Sequence, residues 1–360
     1  MTAPLRLVFM GSDPIALPLL NWIASPDGAA HARITAIYTQ PDRPAGRGQK
    51  IQPNAIKLWA LERDIPVLQP EKLTDETRAG LAALAPDAAL IMAYGHILRD
   101  ALINTPRLGT LNLHTSLLPK YRGASPIQTA TACGERETGV SLMRIVRKLD
   151  AGPVADVERV PIAPLDTALD VEQKLAAACV PLVARSLPRL ATNTLSFTGQ
   201  TESAATYCRR LEKTDVALDF TAPAATLAAR INGLYPWPAC LVEIAGHPIK
   251  FGQADFAQAS NPCPEIARAS SPCSETQTSV PPSPQTSVPP SPAPPLPGTI
   301  LPSGNHALHI AAGDGNILRV HRLQRPGGKM LPAPEFLRGF PIAPGTLLPS
   351  KPMPALVIQP

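Results

Sequence analysis

The stretch GTLNLHTSLLPKYRGASPIQTA, from Gly109 to Ala130, decides the fold because it joins a short apolar run to a helical segment through a polar loop. The run Thr110–Leu113 is typical of a buried strand, and we expect a helix near Ser125–Cys133. The same alternation of strand and helix recurs over residues 1–190. It predicts an α/β fold with a mostly parallel, Rossmann-like sheet.

Other short apolar runs extend this pattern on both sides of the quoted stretch. The further predicted strands are Leu5–Met10, Ile34–Tyr38, Ala88–Met92, Val140–Ile145 and Val157–Ile162. The further helices are expected near Ile15–Ile23, Asn54–Arg63 and Ala168–Leu187. In open α/β sheets the ligand lies beyond the carboxyl ends of the strands, so the loops that follow these strands are the candidate site.

The pattern changes after about Ala205 to shorter strands separated by turn residues. The sequence GDG at Gly313–Gly315 lies between two apolar runs and predicts a hairpin. A small OB-like β-barrel would close such strands. We therefore predict an α/β domain over residues 1–190, a linker over 191–205 and a barrel domain over 206–360.

A proline- and serine-rich insertion is expected inside the second domain, at about residues 259–297. It contains the tandem repeat QTSVPPSP at Gln277–Pro284 and again at Gln285–Pro292. Such a composition cannot build a core, so we interpret it as a solvated insertion that the activity does not need.

The composition of the 360 residues is that of a folded protein, with 44% hydrophobic and 17% charged residues. This excludes a disordered polyelectrolyte. The net charge is only +5, but the segment from Arg319 to the end carries six basic residues and one acid, Glu335. A basic surface in the C-terminal part is expected.

The six cysteines are far apart and form no CxxC pair, which is typical of reduced intracellular thiols and argues against a structural zinc site. The chain passes directly from Met1 into the strand-like RLVFMG of Arg6–Gly11, and no apolar run is long enough for a membrane span. We therefore expect a cytoplasmic protein.

Three polar residues form the candidate catalytic group. Asn112 and His114 are two positions apart on a predicted strand, so their side chains share a face. Asp150 follows a later strand, with Gly152 behind it. A carboxylate beside an imidazole is the arrangement of a general acid/base site.

These residues resemble the formyltetrahydrofolate-dependent formyltransferases. The family pattern Asn-x-His-x-Ser-Leu-Leu-Pro-x-x-Arg-Gly is present from Asn112 to Gly123, and Leu-Asp-x-Gly from Leu149 to Gly152. The segments TQPDRPAGRG, MAYGHIL and YPWPAC are similar to the branch that formylates initiator methionyl-tRNA; they lie at Thr39–Gly48, Met92–Leu98 and Tyr235–Cys240.

The resemblance implies 10-formyltetrahydrofolate as formyl donor, initiator methionyl-tRNA as acceptor and no metal. It implies that Asn112 and a protonated His114 stabilise the oxyanion, and that Asp150 keeps the imidazole charged and moves a proton. The implied folate-binding residues are Ser116, Leu117, Leu118 and Pro119, and the implied tRNA-binding residues are Arg43, Arg47 and Lys50. We expect a monomer without a membrane partner.

The sequence departs from the family at Thr115, where glycine is usual, and at Arg147 and Lys148, where small residues are usual. One alternative is a formyltransferase that uses a small amine or an amino-sugar nucleotide as acceptor, with the same three catalytic residues; the C-terminal barrel with its basic end favours tRNA. Two further alternatives belong to other classes of protein. A nicotinamide-dependent dehydrogenase is disfavoured because GSDPIA at Gly11–Ala16 lacks the GxGxxG phosphate cradle. A non-enzymatic adaptor built on the proline repeat leaves the three polar residues unexplained.

Overall fold

The computed structural model describes residues 3–45, 48, 50–258, 294–302 and 306–358. Arg47 and most of the expected insertion, including both copies of the repeat, lie outside the described residues.

The first part of the chain alternates strands with helices. Its strands are β1 (Leu5–Gly11), β2 (Ala32–Tyr38), β3 (Arg43–Ala45), β4 (Lys50–Gln52), β5 (Val67–Leu68), β6 (Ala88–Met92), β7 (Thr110–His114), β8 (Arg122–Gly123), β9 (Glu137–Arg144) and β10 (Val154–Pro161). Its helices are α1 (Leu17–Ala24), α2 (Pro26–Ala29), α3 (Ala55–Leu61), α4 (Asp75–Ala83), α5 (Asp100–Ile103), α6 (Pro126–Ala132) and α7 (Ala168–Ala191), and a 3₁₀ turn, Pro14–Ala16, precedes α1.

A central sheet has the strand order β10-β9-β7-β6-β1-β2-β5. Neighbouring strands from β7 to β5 run parallel, whereas β9 and β10 are antiparallel additions at one edge. The predicted mostly parallel α/β sheet is confirmed. Because β2 and β6 lie on opposite sides of β1, the strand order reverses there, and the ligand crevice of such sheets opens beside this point.

Apolar side chains cover both faces of the sheet, which explains why its inner strands are almost continuous apolar runs. On one face α1 and α7 pack against residues such as Leu7, Phe9 and Leu90. On the other face Tyr38 packs with Leu81 and other buried residues. The helices therefore hold the strand ends in place on both sides.

The second part of the chain is built on a curled antiparallel sheet. Its strands, with two short ones outside that sheet, are β11 (Tyr207–Cys208), β12 (Cys240–Ile244), β13 (His247–Ala257), β14 (Leu308–Ala311), β15 (Ile317–Gln324), β16 (Leu331–Pro332) and β17 (Val357–Ile358). Its helices are α8 (Ala224–Leu234) and α9 (Ala333–Gly339), with 3₁₀ turns at Glu202–Ala204 and Lys213–Val216.

The sheet of the second part has the order β12-β13-β15-β14, and β16 pairs with β15. The hairpin predicted around Gly313–Gly315 joins β14 to β15, and Gly315 has a φ of 79°. Its core is formed by residues such as Phe220, Phe251 and Val320. The predicted barrel is thus a half-barrel.

Two of the contacts between the two parts show where the chain returns after α7. Strand β11 pairs in parallel with β8 and antiparallel with β17. Helix α8 lies against α6 so closely that a Cβ atom on Gly233 would be 2.3 Å from the backbone nitrogen of Ala132. The chain beyond α7 therefore returns to the loop that follows β7.

Across the residues that the structure describes, no helix combines the length and the apolar character needed to cross a membrane.

Candidate active site

His114 is the last residue of β7, and its imidazole is held on both sides. The side chain is buried, and Nε2 lies 2.9 Å from the backbone oxygen of Tyr121. A carbonyl oxygen only accepts hydrogen bonds, so Nε2 carries a proton. Nδ1 lies 3.7 Å from Oδ2 of Asp150, too far for a hydrogen bond but close enough for an ion pair when the ring is charged. Nδ1 is therefore the nitrogen that a substrate can reach.

Asp150 lies in the turn between β9 and β10. Its backbone has a φ of 47°, a left-handed conformation that few residues other than glycine adopt. Oδ2 accepts a hydrogen bond of 2.9 Å from the backbone nitrogen of Gly123. Within the described part of the chain, Oδ1 has no hydrogen-bond partner. One carboxylate oxygen is thus fixed and the other is available.

Glycine is required where the backbones around Asp150 approach each other. A Cβ atom on Gly152 would lie 1.9 Å from the backbone oxygen of Arg144, and one on Gly123 would lie 2.2 Å from that of Cys208. The two glycines of the sequence pattern therefore allow the turn of Asp150 and the loop after β7 to meet.

Asn112 lies two residues before His114 on β7, opposite Met143 of β9. Its side chain is half-buried, and no hydrogen bond to another described residue engages its amide. Since Nε2 of His114 is engaged by Tyr121, the amide of Asn112 and Nδ1 of His114 are the groups left for a substrate at this strand end. The structure thus brings the three predicted catalytic residues to one loop cluster.

The predicted folate-binding residues form the loop after β7. Ser116 is fully buried, its hydroxyl donates to the backbone oxygen of Lys120 at 2.6 Å, and its own carbonyl accepts from the Ser141 hydroxyl at 2.7 Å. Leu117, Leu118 and Pro119 are half-buried. Ser116 therefore shapes the loop from inside, and the apolar side chains remain for contact with a ligand.

Two residues of the loop after β6 carry polar atoms that the sequence reasoning gave no role. Tyr94 is buried, and neither its hydroxyl nor Nε2 of His96 has a hydrogen-bond partner in the described ranges. Burial, together with the charge of Arg43, lowers the pKa of His96, and burial raises the pKa of Tyr94. Both residues lie in the MAYGHIL segment, whose resemblance to the family carries no role for either of them.

The predicted tRNA-binding residues lie in the loop after β2. Arg43 on β3 and Lys50 on β4 are exposed, and the two strands form an antiparallel ribbon, a regular structure that the sequence reasoning did not predict. At its base, Asp42 accepts hydrogen bonds from Lys57 at 2.7 Å and Gln69 at 2.8 Å. The bonds from Gln69 and Lys57 lower the pKa of Asp42. The ribbon is anchored at its base and charged at its surface.

Within the described ranges, no cluster of three or more histidine, cysteine, aspartate or glutamate side chains could hold a metal ion.

Known protein families match both parts of the chain. Residues 6–185 match the model of the formyl transferase family, and residues 210–341 match that of the formyl transferase C-terminal domain. Among curated proteins, the methionyl-tRNA formyltransferase of Hydrogenovibrio crunogenus is 35% identical, covering 96% of this chain and all of that protein. The methionyl-tRNA formyltransferase of Pseudomonas syringae pv. syringae is 38% identical, covering 92% of this chain and 93% of that protein.

Solved structures share the fold at much lower identity. A sugar 3N-formyl transferase with dTDP and 5-N-formyl-THF superposes with a TM-score of 0.59 at 16% identity, covering 90% of this chain and 99% of that one. An N-formyltransferase from Helicobacter canadensis, in complex with folinic acid and dTDP-3-aminofucose, gives the same TM-score and identity over 89% and 99%.

Proposed function

Because the chain belongs to the formyl transferase family, we infer that it transfers the formyl group of 10-formyltetrahydrofolate to the free amino group of methionyl-tRNA. The product is N-formylmethionyl-tRNA, which serves translation initiation. The observation that carries this inference is that relatives named for this reaction match nearly the whole chain, including both parts. The donor is a substrate, and the residues of the chain supply the catalytic groups.

The catalytic groups that we propose are Asn112, His114 and Asp150. Attack of the methionyl amine on the formyl carbon creates a tetrahedral intermediate with a negatively charged oxygen. The amide of Asn112 is free to donate to that oxygen, and so is Nδ1 of a protonated His114, since Nε2 is engaged by Tyr121. Preorganised donors of this kind contribute roughly 10²–10³ each in rate.

Asp150 has two separate tasks in this proposal. Its Oδ2, fixed by Gly123, provides the negative charge that faces the His114 imidazolium. Its free Oδ1 can accept the proton that the attacking amine loses, directly or through water, for transfer to the departing N10 of the folate. The N10–formyl bond breaks as the new amide bond is completed, and the proton that the amine loses ends on N10.

The donor contacts that we propose are the apolar side chains of Leu117, Leu118 and Pro119, on a loop that Ser116 shapes. The unpartnered buried Nε2 of His96 fits a donor with a polar ring system, because such an atom is costly to leave without a partner. His96 follows β6, next to the point where the strand order reverses. The residues present therefore fit the donor.

For the acceptor, we propose that the exposed Arg43 and Lys50, with Arg47 of the same loop, contact the tRNA phosphates. The basic residues after Arg319 would extend this contact. Residues 1–190 would form the catalytic domain, 191–205 the linker and 206–360 the tRNA-binding domain. The enzyme would act as a monomer in the cytoplasm.

A transfer assay tests the function directly. The purified chain is incubated with 10-formyltetrahydrofolate and one of three acceptors: initiator methionyl-tRNA, elongator methionyl-tRNA or a dTDP-linked amino sugar. We expect formylation of the initiator tRNA in strong preference to the other two. Formylation of the sugar without formylation of methionyl-tRNA would contradict the proposal.

A further inference from the structure

The segment between α7 and β11 crosses the back of the candidate site. Thr198 and Val154 exchange two backbone hydrogen bonds of 2.8 Å, which places this segment beside the start of β10. Gln200 follows two residues later and is half-buried. Its side chain reaches into the turn that carries Asp150.

Both amide hydrogens of Gln200 are used on that turn. Nε2 lies 2.7 Å from the backbone oxygen of Asp150 and 2.7 Å from that of Gly152. An amide nitrogen has two N–H donors, so one is available for each carbonyl. The two bonds fix the backbone at Asp150 and two residues after it, and the left-handed φ of 47° at Asp150 needs such support.

Arg122 sets the orientation of the Gln200 amide. Its Nε and Nη2 donate to Oε1 of Gln200 at 3.1 Å and 2.9 Å. A guanidinium group can only donate, so the oxygen of the amide must face Arg122, and the nitrogen must face the two carbonyls. The alternative amide orientation would place donors against donors.

Arg122 is itself fixed, because its side chain is fully buried and its charge is paired. Nη1 donates to Glu202 at 3.0 Å and 3.2 Å and to the Tyr207 hydroxyl at 3.0 Å. Lys148, near Asp150 in the sequence, pairs with the same Glu202. The order of contacts thus runs from Glu202 through Arg122 and Gln200 to the Asp150 backbone.

We propose that Gln200 is a positioning residue for Asp150 in the formyl transfer reaction, an inference that rests on the proposed function. Gln200 holds the turn so that the Asp150 carboxylate stays beside Nδ1 of His114. Loss of its two donors allows the turn to relax and the carboxylate to move. Small displacements of a catalytic group have large effects on rate, about 10²-fold for about 1 Å.

The first test is Gln200→Met, which keeps the side-chain length and removes the amide. We expect kcat for methionyl-tRNA formylation to fall by roughly 10²-fold, while KM for 10-formyltetrahydrofolate stays within about twofold of wild type. Gln253→Met is the matched control, since Gln253 also donates from Nε2 to a backbone oxygen, that of Leu165, outside the site. The control should keep its kcat.

A second variant separates positioning from folding. Gln200→Glu keeps an oxygen for Arg122 but replaces the donor that faces the two carbonyls with an acceptor. We expect a similar loss of kcat without a comparable fall in the thermal midpoint of unfolding, because the carboxylate also pairs with Arg122. Wild-type kcat in Gln200→Glu would overturn the inference.

The decisive measurement combines Gln200→Met with Asp150→Asn. If Gln200 acts through Asp150, Gln200→Met should cost less than about threefold in kcat in the Asp150→Asn background. An equal loss in both backgrounds would show a general structural role and overturn the inference. Wild-type enzyme is assayed alongside: its failure to formylate methionyl-tRNA would contradict the proposed function, whereas an active wild type with an active Gln200→Met contradicts only the role of Gln200.

Discussion

Two loops follow parallel strands of the same sheet, and they differ in how their polar groups are used. At the end of β7 and in the loop after it, the side chains of His114 and Ser116 are buried and hydrogen-bonded to backbone groups. In the loop after β2, Arg43 and Lys50 are exposed on a short ribbon that is anchored at its base by Asp42. One loop is fixed from inside, and the other presents its charges outward.

The difference corresponds to two physical tasks. Stabilising a charge that develops on one atom requires donors that are already in place, because reorganisation during the reaction would cost rate. Contact with a polyanion requires exposed cations that can neutralise phosphates and release counterions. We therefore expect variants of the loop after β7 to affect kcat. Variants of the loop after β2 should affect kcat/KM for methionyl-tRNA and the salt dependence of tRNA binding.

The largest effect is expected for His114→Ala and Asp150→Ala. Each should lower kcat by roughly 10²–10⁴, because positioned proton-transfer groups contribute about that much. The measurement is single-turnover formylation with saturating methionyl-tRNA. His321→Ala serves as a matched control, since His321 forms another histidine–aspartate pair, 2.9 Å from Asp255, in the second part of the chain. A His114→Ala enzyme that binds the donor and keeps near-normal turnover would remove His114 from the mechanism.

A smaller effect is expected for Arg47→Ala in the loop after β2. Removing an arginine that contacts phosphate or base edges should lower kcat/KM for methionyl-tRNA by roughly ten- to hundredfold. The affinity for 10-formyltetrahydrofolate should not change, because we place the donor at the loop after β7. Steady-state kinetics with each substrate varied in turn measures both. Unchanged kinetics on initiator tRNA would leave only the basic C-terminal part to account for recognition.

The salt dependence of tRNA binding should change by a smaller amount. Each phosphate contact contributes a slope of about −0.7 to −0.9 to log K against log salt concentration. The double substitution of Arg43 and Lys50 by Ala should therefore make the slope shallower by about 1 to 2 units. Titrations of the full-length protein at several salt concentrations provide the slope. Identical slopes for wild type and variant would mean that neither cation contacts a phosphate.

The smallest effect is expected for Asp42→Asn at the base of the ribbon. Hydrogen bonds from Gln69 and Lys57 lower the pKa of Asp42, so its stabilising contribution is complete above the ordinary aspartate pKa of about 3.9. That contribution is lost as the pH falls through the lowered value. The thermal midpoints of wild type and Asp42→Asn should differ slightly at pH 7 and converge below about pH 4. Glu71→Gln, which removes an exposed carboxylate in the same region, should show no such convergence.

The sequence predicted the long elements well because their apolar patterns are set by burial in the sheet. Ala88–Met92 matches β6 residue for residue, and α7 extends the predicted helix by four residues to Ala191. Strands β8, β11 and β17 have only two residues each, which is too short for any periodicity to show. They form because segments that are far apart in the sequence pair with one another, and no local sequence pattern indicates such pairing.

In the candidate site, too, local patterns predicted some residues, whereas others depend on contacts between distant segments. The spacing of Asn112 and His114, with Asp150 after a later strand, predicted a cluster that the structure brings together. Gln200 lies 50 residues beyond Asp150 and belongs to no motif, so its contact with the Asp150 turn could be found only in three dimensions. The buried, unpartnered atoms of Tyr94 and His96 could be found only by burial.

The close contact between α6 and α8 also limits which C-terminal parts can be joined to this N-terminal part in a chimera. Gly233 has no room for a Cβ atom against Ala132, and Gly123 has none against Cys208. A chimera that joins this catalytic part to the C-terminal part of a distant relative must therefore keep glycine at both positions. It must also keep the short strand beside Gly123. Each part has a core of its own, but the two parts fit together only when these close contacts are kept.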